Sequence, residues 1–263
     1  MGAFVSSQAF QPPVRHFVRF QNPANVHFRD LPKSGVRAPL LYVASGRTNA
    51  KTLLFSHGNA EDLMSLEPFA TFLVNRLGVN FCAFEYPGYP GTTWLDEQRK
   101  GEPLVPSESA TFEAAESCLD WLISDQKTPV GSIVIMGRSL GSGPSVHLAA
   151  VYCVARGLDC GGLLLQSPIA SAVRVVFPNS WFTLPFIDIF ANIDKIGSVR
   201  TRTTVIHGTD DEVVPLQNGQ QLFAAVPAQL QSAPLWLVGA HHNDVEQFTE
   251  QWLGHISAFI DSL

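Results

Sequence analysis

Short apolar runs alternate along most of the chain with longer segments in which apolar residues recur at helical spacing. The runs end in small or polar residues, which is typical of buried strands, and they predict strands over residues 39–45, 51–56, 79–86, 132–136, 162–166, 203–207 and 235–238. Amphipathic helices are predicted over residues 64–78, 107–125, 140–155, 216–225 and 244–260. A chain in which strands and helices alternate forms a mostly parallel sheet covered on both faces. The predicted fold class is therefore α/β.

Three parts of the chain depart from this alternation. Residues 1–36 are predicted to be an N-terminal tail with short extended segments, followed by a single α/β domain over residues 37–263. Residues 86–106 are rich in Pro, Gly and charged residues, which predicts a loop. An aromatic-rich insert at residues 168–198 is predicted to form a small cap on the domain.

Composition and charge exclude several classes of protein. The chain has 263 residues, of which 46% are hydrophobic and 15% charged, so it can bury a large core. Its net charge of −6 argues against nucleic acid and against a polybasic membrane patch. The four cysteines show neither CxxC nor metal-ligand spacing, which predicts reduced, buried thiols. We also expect no membrane-spanning helix, no metal and no cofactor.

The pentapeptide GRSLG at residues 137–141 lies between a predicted apolar strand and a predicted helix. It fits the G-x-S-x-G nucleophile elbow, in which a serine occupies a strained turn from strand to helix. Flanking glycines are needed there because a Cβ would collide with neighbouring backbone. The alternative is a plain turn, but the position between strand and helix favours Ser139 as a nucleophile.

An acid and a base are expected beyond the ends of later strands, because functional groups gather there in parallel sheets. Asp210 and Asp211 follow one such strand, and His241 and His242 follow the last one. The aspartates could instead begin the next helix, and spacing alone does not choose between them. Asn243 or Asp244 is interpreted as the cap of the final helix. The order Ser…Asp…His is the one used by α/β-hydrolases.

Backbone donors for an oxyanion are expected in two further places. His57-Gly58-Asn59 directly follows a predicted strand, and Leu140 follows the candidate nucleophile. The N–H groups of Asn59 and Leu140 are predicted to form an oxyanion hole. His57 is assigned to this turn and not to the role of base.

Several longer stretches carry a family resemblance: LLFSHGNAEDL, GRSLGSGPSVHLAA, FANIDKI, VIHGTDDEVVP and PLWLVGAHHNDVE. With them the chain resembles the α/β-hydrolase domain-containing 17 family, membrane-associated serine hydrolases that remove palmitate from protein cysteines. The resemblance implies a Ser139, Asp211 and His242 triad. His241 stands where the family usually has glycine, and Arg138 replaces the polar residue usual inside the elbow.

The resemblance implies a serine hydrolase that depalmitoylates membrane-associated proteins. Its substrates are then S-acylated proteins, bound without any cofactor. A lipase or carboxylesterase acting on lipid or small-molecule esters is the alternative, because a triad does not itself distinguish sulfur from oxygen leaving groups. A catalytically silent binding protein on the same scaffold is a third possibility.

Two features bear on lipids. The start, MGAFVSS, matches the N-myristoylation pattern with Gly2 as acceptor, whereas the N-terminal cysteine cluster of the family is absent. We therefore expect peripheral association with the cytoplasmic face of membranes, alongside a cytoplasmic pool. The cap carries five aromatic residues that are candidates for acyl binding: Phe177, Trp181, Phe182, Phe186 and Phe190.

Overall fold

A computed structural model describes residues 10–14, 19–177 and 188–263 of the chain. Its centre is a nine-stranded sheet, with strands β1 (Val26–Leu31), β2 (Val36–Val43), β3 (Thr52–Ser56), β4 (Asn80–Phe84), β5 (Thr93–Trp94), β6 (Ile133–Arg138), β7 (Gly162–Gln166), β8 (Thr203–Gly208) and β9 (Leu235–Leu237). The described α-helices are α1 (Leu63–Leu77), α2 (Glu108–Ser124), α3 (Ser142–His147), α4 (Cys153–Arg156), α5 (Ala172–Val176), α6 (Leu216–Ala225) and α7 (Thr249–Asp261).

The strands lie in the order β1-β2-β4-β3-β6-β7-β8-β9, with the short β5 paired to β2. Neighbouring strands pair in parallel along the series β4-β3-β6-β7-β8-β9. The strands β1, β4 and β5 all run antiparallel to β2. The sheet therefore begins at β1, within the segment predicted as tail and extended segments. Because β6, β8 and β9 are parallel, their carboxyl ends meet at one edge of the sheet.

Both faces of the sheet are buried, which explains why the strands read as continuous apolar runs. Along β6, Ile133 and Ile135 pack into the layer formed with α2, α3 and α6. The alternate residues Val134 and Met136 pack into the opposite layer, formed with α1 and α7. This alternation follows from the two-residue period of a strand.

Two predicted helices are interrupted. The segment predicted as one helix over residues 140–155 begins with a 3₁₀ turn at Ser139–Gly141 and contains a π-helical turn at Leu148–Tyr152, between α3 and α4. The predicted final helix starts as a separate 3₁₀ turn at Val245–Gln247, and α7 begins only at Thr249.

The prediction that Asn243 or Asp244 caps the final helix is wrong, because the N-cap of α7 is Phe248. The Oδ1 atom of Asp244 accepts a hydrogen bond from the His241 N–H at 2.6 Å, and Asp244 gives no side-chain cap to the 3₁₀ turn that follows it. The carboxylate instead closes the turn that carries the histidines.

Candidate active site

Ser139 lies immediately after β6 and adopts a left-handed backbone conformation, with φ of +53°. Such a conformation is strained for a residue with a side chain and is concentrated at functional sites. The flanking glycines allow it because a Cβ on Gly137 would lie 2.6 Å from the Gly141 carbonyl oxygen. A Cβ on Gly141 would collide with the carbonyl oxygen of Ser56 on β3. The sequence therefore folds here as a nucleophile elbow.

The Ser139 hydroxyl contacts an imidazole that in turn contacts a carboxylate. Ser139 Oγ lies 3.0 Å from His242 Nε2, and His242 Nδ1 lies 2.8 Å from Asp211 Oδ2. An ionised carboxylate only accepts hydrogen bonds, so His242 Nδ1 carries the proton and Nε2 is left to accept from the serine hydroxyl. The arrangement can therefore take a proton from Ser139.

The carboxylate of Asp211 is buried and fully engaged. Its Oδ1 accepts hydrogen bonds from the N–H groups of Val213 at 3.0 Å and Val214 at 2.7 Å. Its Oδ2 also lies 3.2 Å from His207 Nε2, on a second buried histidine. Burial opposes ionisation, but the hydrogen bonds from His207 and His242 lower the pKa of Asp211 below its ordinary value. Asp211 is therefore held as an anion beside His242.

The neighbouring aspartate and histidine point elsewhere. Asp210 is exposed and accepts a hydrogen bond from the Thr209 hydroxyl at 2.9 Å. The His241 side chain is 56% exposed, and its Nδ1 lies 3.2 Å from Glu212 Oε2, a contact that raises the pKa of His241. Of the two adjacent pairs that spacing left open, the structure brings Asp211 and His242 to Ser139.

The turn that carries Asn59 is fixed by two buried groups. His57 lies with Nδ1 2.8 Å from the Gly58 carbonyl oxygen and Nε2 3.0 Å from Glu85 Oε1. Burial raises the pKa of Glu85. His57 is therefore a structural part of this turn, while Asn59 and Leu140 line the same cavity as Ser139.

Arg138, which lies between Gly137 and Ser139 in the elbow, links the loops around the site. Its Nε donates to Glu61 Oε2 at 3.1 Å, and its Nη1 donates to Glu246 Oε1 at 2.5 Å. Glu61 Oε2 also accepts the Gly58 N–H at 2.6 Å. Burial opposes ionisation of Glu246, but the Arg138 charge and a hydrogen bond from Gln166 hold its pKa below the ordinary value. This guanidinium joins the loops that follow β3 and β9.

The cavity above Ser139 has a volume of about 690 Å³. Of the five aromatic candidates, Phe190 is buried and lines it, whereas Phe177 is 65% exposed and is not among the described lining residues. Trp181, Phe182 and Phe186 lie outside the described residues. The apolar wall was missed at the sequence level because it is built from small aliphatic side chains: Ile169, Ala172, Val175, Ile189, Val213 and Val214.

The described residues contain neither a candidate metal site nor a candidate membrane-spanning helix. Within residues 10–14, 19–177 and 188–263, no three His, Cys, Asp or Glu side chains come together as a possible metal site. Across the same ranges, no helix is both long enough and apolar enough to cross a bilayer.

Solved structures with the same fold include two archaeal esterases. An esterase from Pyrococcus furiosus superposes with a TM-score of 0.67 at 17% identity, over 96% of this chain and 99% of that one. An esterase from Pyrobaculum calidifontis gives a TM-score of 0.62 at 16% identity, over 99% of this chain and 90% of that one. At these identities the likeness shows the fold alone, and it confirms the predicted α/β-hydrolase fold.

Curated relatives share much more sequence. No protein-family model matches the chain. Alpha/beta hydrolase domain-containing protein 17B of Homo sapiens is 35% identical over 228 residues, covering 86% of this chain and 72% of that protein. Protein 17C of Mus musculus is 34% identical over 228 residues, covering 85% of this chain and 64% of that protein. The chain is thus an α/β-type hydrolase, and it belongs to the α/β-hydrolase domain-containing protein 17 family.

Proposed function

We propose that this chain is a serine hydrolase that cleaves acyl thioesters, with palmitoyl-cysteine on membrane-associated proteins as its substrate. The observation that carries the proposal is the contact chain from Ser139 through His242 to Asp211 at the floor of a cavity with an apolar wall. The family supports hydrolysis as the reaction class, and the wall supports a substrate with an acyl chain.

The reaction begins when His242 Nε2 takes the Ser139 hydroxyl proton and Ser139 Oγ attacks the acyl carbonyl carbon. The N–H groups of Asn59 and Leu140 stabilise the resulting oxyanion. Collapse of the tetrahedral intermediate breaks the carbon–sulfur bond, and His242 returns the proton to the leaving thiolate. The acyl group is left as an ester on Ser139.

Water completes the cycle. His242 removes a proton from a water molecule, which attacks the acyl-enzyme carbonyl, and the same N–H groups hold the second oxyanion. Breakage of the Ser139 ester bond releases the fatty acid, and His242 gives its proton to Ser139 Oγ, which regenerates the hydroxyl. Asp211 holds the imidazole in the required tautomer and stabilises its charged form during both steps.

We expect the protein to prefer a palmitoyl-cysteine peptide over monopalmitoylglycerol by at least about tenfold in kcat/KM, after each is divided by its uncatalysed rate. The same peptide with an acetyl group should be hydrolysed more than about 100-fold less efficiently, because each buried methylene contributes about 0.8 kcal/mol. Steady-state kinetics in detergent micelles of fixed composition measure both ratios. A reversed order, with monopalmitoylglycerol preferred, identifies a lipid esterase and contradicts the thioesterase proposal.

Peripheral membrane association through an acyl group on Gly2 is part of this proposal, and Gly2 lies outside the described residues. A single myristoyl chain gives only marginal binding, with an association constant near ~10⁴ M⁻¹.

Gly2→Ala should therefore move the protein from membrane pellets to the soluble fraction and abolish incorporation of an alkyne analogue of myristate. The protein is produced together with an N-myristoyltransferase, and fractionation is followed by detection of the alkyne. Ser7→Ala, next to the pattern but outside it, is the matched control. Unchanged partition of the Gly2→Ala protein contradicts the proposed anchor.

A further inference from the structure

Phe10 is buried, whereas residues 11–14, which directly follow it, are exposed or half-buried. Its side chain is only 3% exposed, whereas Val14 in the same segment is 90% exposed. The Phe10 ring packs edge-on against Tyr89 at 6.4 Å between centroids and against Phe190 at 5.8 Å. The ring therefore lies between the loop after β4 and the wall of the cavity.

The residue after Phe10 contacts the turn assigned to the oxyanion. The Gln11 N–H donates to Asn59 Oδ1 at 2.7 Å, and Gln11 lines the cavity. The Tyr89 hydroxyl donates to the carbonyl oxygen of Asn59 at 2.8 Å. Burial raises the pKa of Tyr89, so this hydroxyl stays protonated as a donor. Phe10 and Gln11 thus act on Asn59 through two routes, one direct and one through Tyr89.

We propose that Phe10 and Gln11 are positioning residues that hold Asn59 where its N–H can bind the developing oxyanion. This inference rests on the proposed function, because the oxyanion that the Asn59 N–H binds forms only when the site hydrolyses an acyl substrate. The Tyr89 hydroxyl holds the Asn59 backbone at its carbonyl oxygen, and Phe10 packs against the Tyr89 ring. Phe10 and Gln11 then support the hydrolytic site, whereas the exposed Val14 takes no part in it.

A misplaced oxyanion donor has a characteristic kinetic effect. The oxyanion exists only in the transition state and the tetrahedral intermediate, so the loss appears in kcat while KM stays nearly constant. Damage to the cavity wall through Phe190 would instead weaken substrate binding and raise KM. The split between kcat and KM therefore separates the two consequences of removing the Phe10 ring.

The experiment compares Phe10→Ala with Val14→Ala in the full-length protein, using a soluble acyl-thioester substrate without membranes. For Phe10→Ala we expect kcat to fall about tenfold, less than the roughly 100- to 1000-fold cost of deleting an oxyanion donor, with KM within about twofold. Affinity for a boronic acid that mimics the tetrahedral intermediate should fall by a similar factor. Phe10→Leu should recover most of kcat, and Val14→Ala should match the unmodified protein.

Unchanged kcat and boronate affinity in a folded Phe10→Ala protein overturn the inference, as does a loss confined to KM. Circular dichroism at the assay temperature establishes that the variant is folded. If Phe10→Ala does not fold, a folded Phe10→Val protein must show a smaller reduction in kcat with KM nearly unchanged, and a normal kcat in Phe10→Val also overturns the inference. Failure of the proposed function gives a different result, because it appears in the unmodified protein itself, as absent turnover or as a preference for monopalmitoylglycerol, and not in the ratio of Phe10→Ala to the unmodified protein.

Discussion

Replacing Ser139 with alanine is expected to reduce hydrolysis by about 10⁴-fold or more while leaving the protein folded. The hydroxyl oxygen is the atom that His242 contacts at 3.0 Å, and no acyl-enzyme can form without it. The residual rate comes from the oxyanion donors and from substrate binding alone. Turnover of a palmitoylated peptide by purified protein measures the loss.

Alanine is the suitable replacement because it keeps the Cβ and therefore the backbone strain at φ of +53°. The thermal midpoint of Ser139→Ala should stay within a few degrees of the unmodified protein, since only one partly exposed hydroxyl is removed. Turnover near the normal rate in a folded Ser139→Ala protein contradicts the assignment of the nucleophile.

Asp211→Asn is expected to lower kcat by about 10⁴-fold, whereas Asp210→Asn should change it by less than about threefold. The Oδ1 position of residue 211 accepts two backbone N–H groups, so an amide oxygen will occupy it. The amide NH₂ then faces His242 Nδ1, which must become an acceptor. The proton moves to Nε2, and His242 can no longer take the proton of Ser139.

Asp210 makes a matched control, because it has the same side chain and directly precedes Asp211 in the sequence but faces solvent. Both variants are compared for kcat, thermal midpoint and the pH dependence of turnover. A large loss in Asp210→Asn, with normal activity in Asp211→Asn, reverses the roles of the two residues and contradicts the geometry.

Local sequence patterns predicted most elements of the fold. The predicted strand over residues 162–166 and the predicted helix over residues 216–225 have the same bounds as β7 and α6. Both are strongly patterned: the strand is buried on both faces and follows a glycine, and the helix follows a proline. In these two segments the local sequence preference and the tertiary packing favour the same secondary structure.

The helix predictions failed at two places. Aspartate is a common helix-capping residue, yet the Asp244 carboxylate accepts a hydrogen bond from the His241 N–H, and α7 begins only at Thr249. The π-helical turn at Leu148–Tyr152 interrupts a helix whose sequence carries no glycine or proline at that point. A contact within the loop thus replaced the expected cap, and the sequence pattern does not mark the π-helical turn.

In the site, features encoded by consecutive residues could be predicted, whereas contacts between distant residues could not. Ser139 could be predicted because the elbow is encoded in five consecutive residues. The contacts of Arg138 with Glu61 and Glu246 could not, because they join residues 77 and 108 positions apart. His207 precedes Asp211 by four residues at the end of β8, which was the available signal for its contact with that carboxylate.

The most direct measurement is the location of a covalent adduct after reaction with a long-chain fluorophosphonate. Phosphonylation requires an activated nucleophile beside oxyanion donors, so one adduct is expected, on the peptide containing Ser139. Labelling should be lost in Ser139→Ala and slowed strongly in His242→Gln, but retained in His241→Gln. Mass mapping that finds no adduct, or an adduct on another residue with Ser139 unmodified, contradicts the assignment of Ser139 as the nucleophile of this hydrolase.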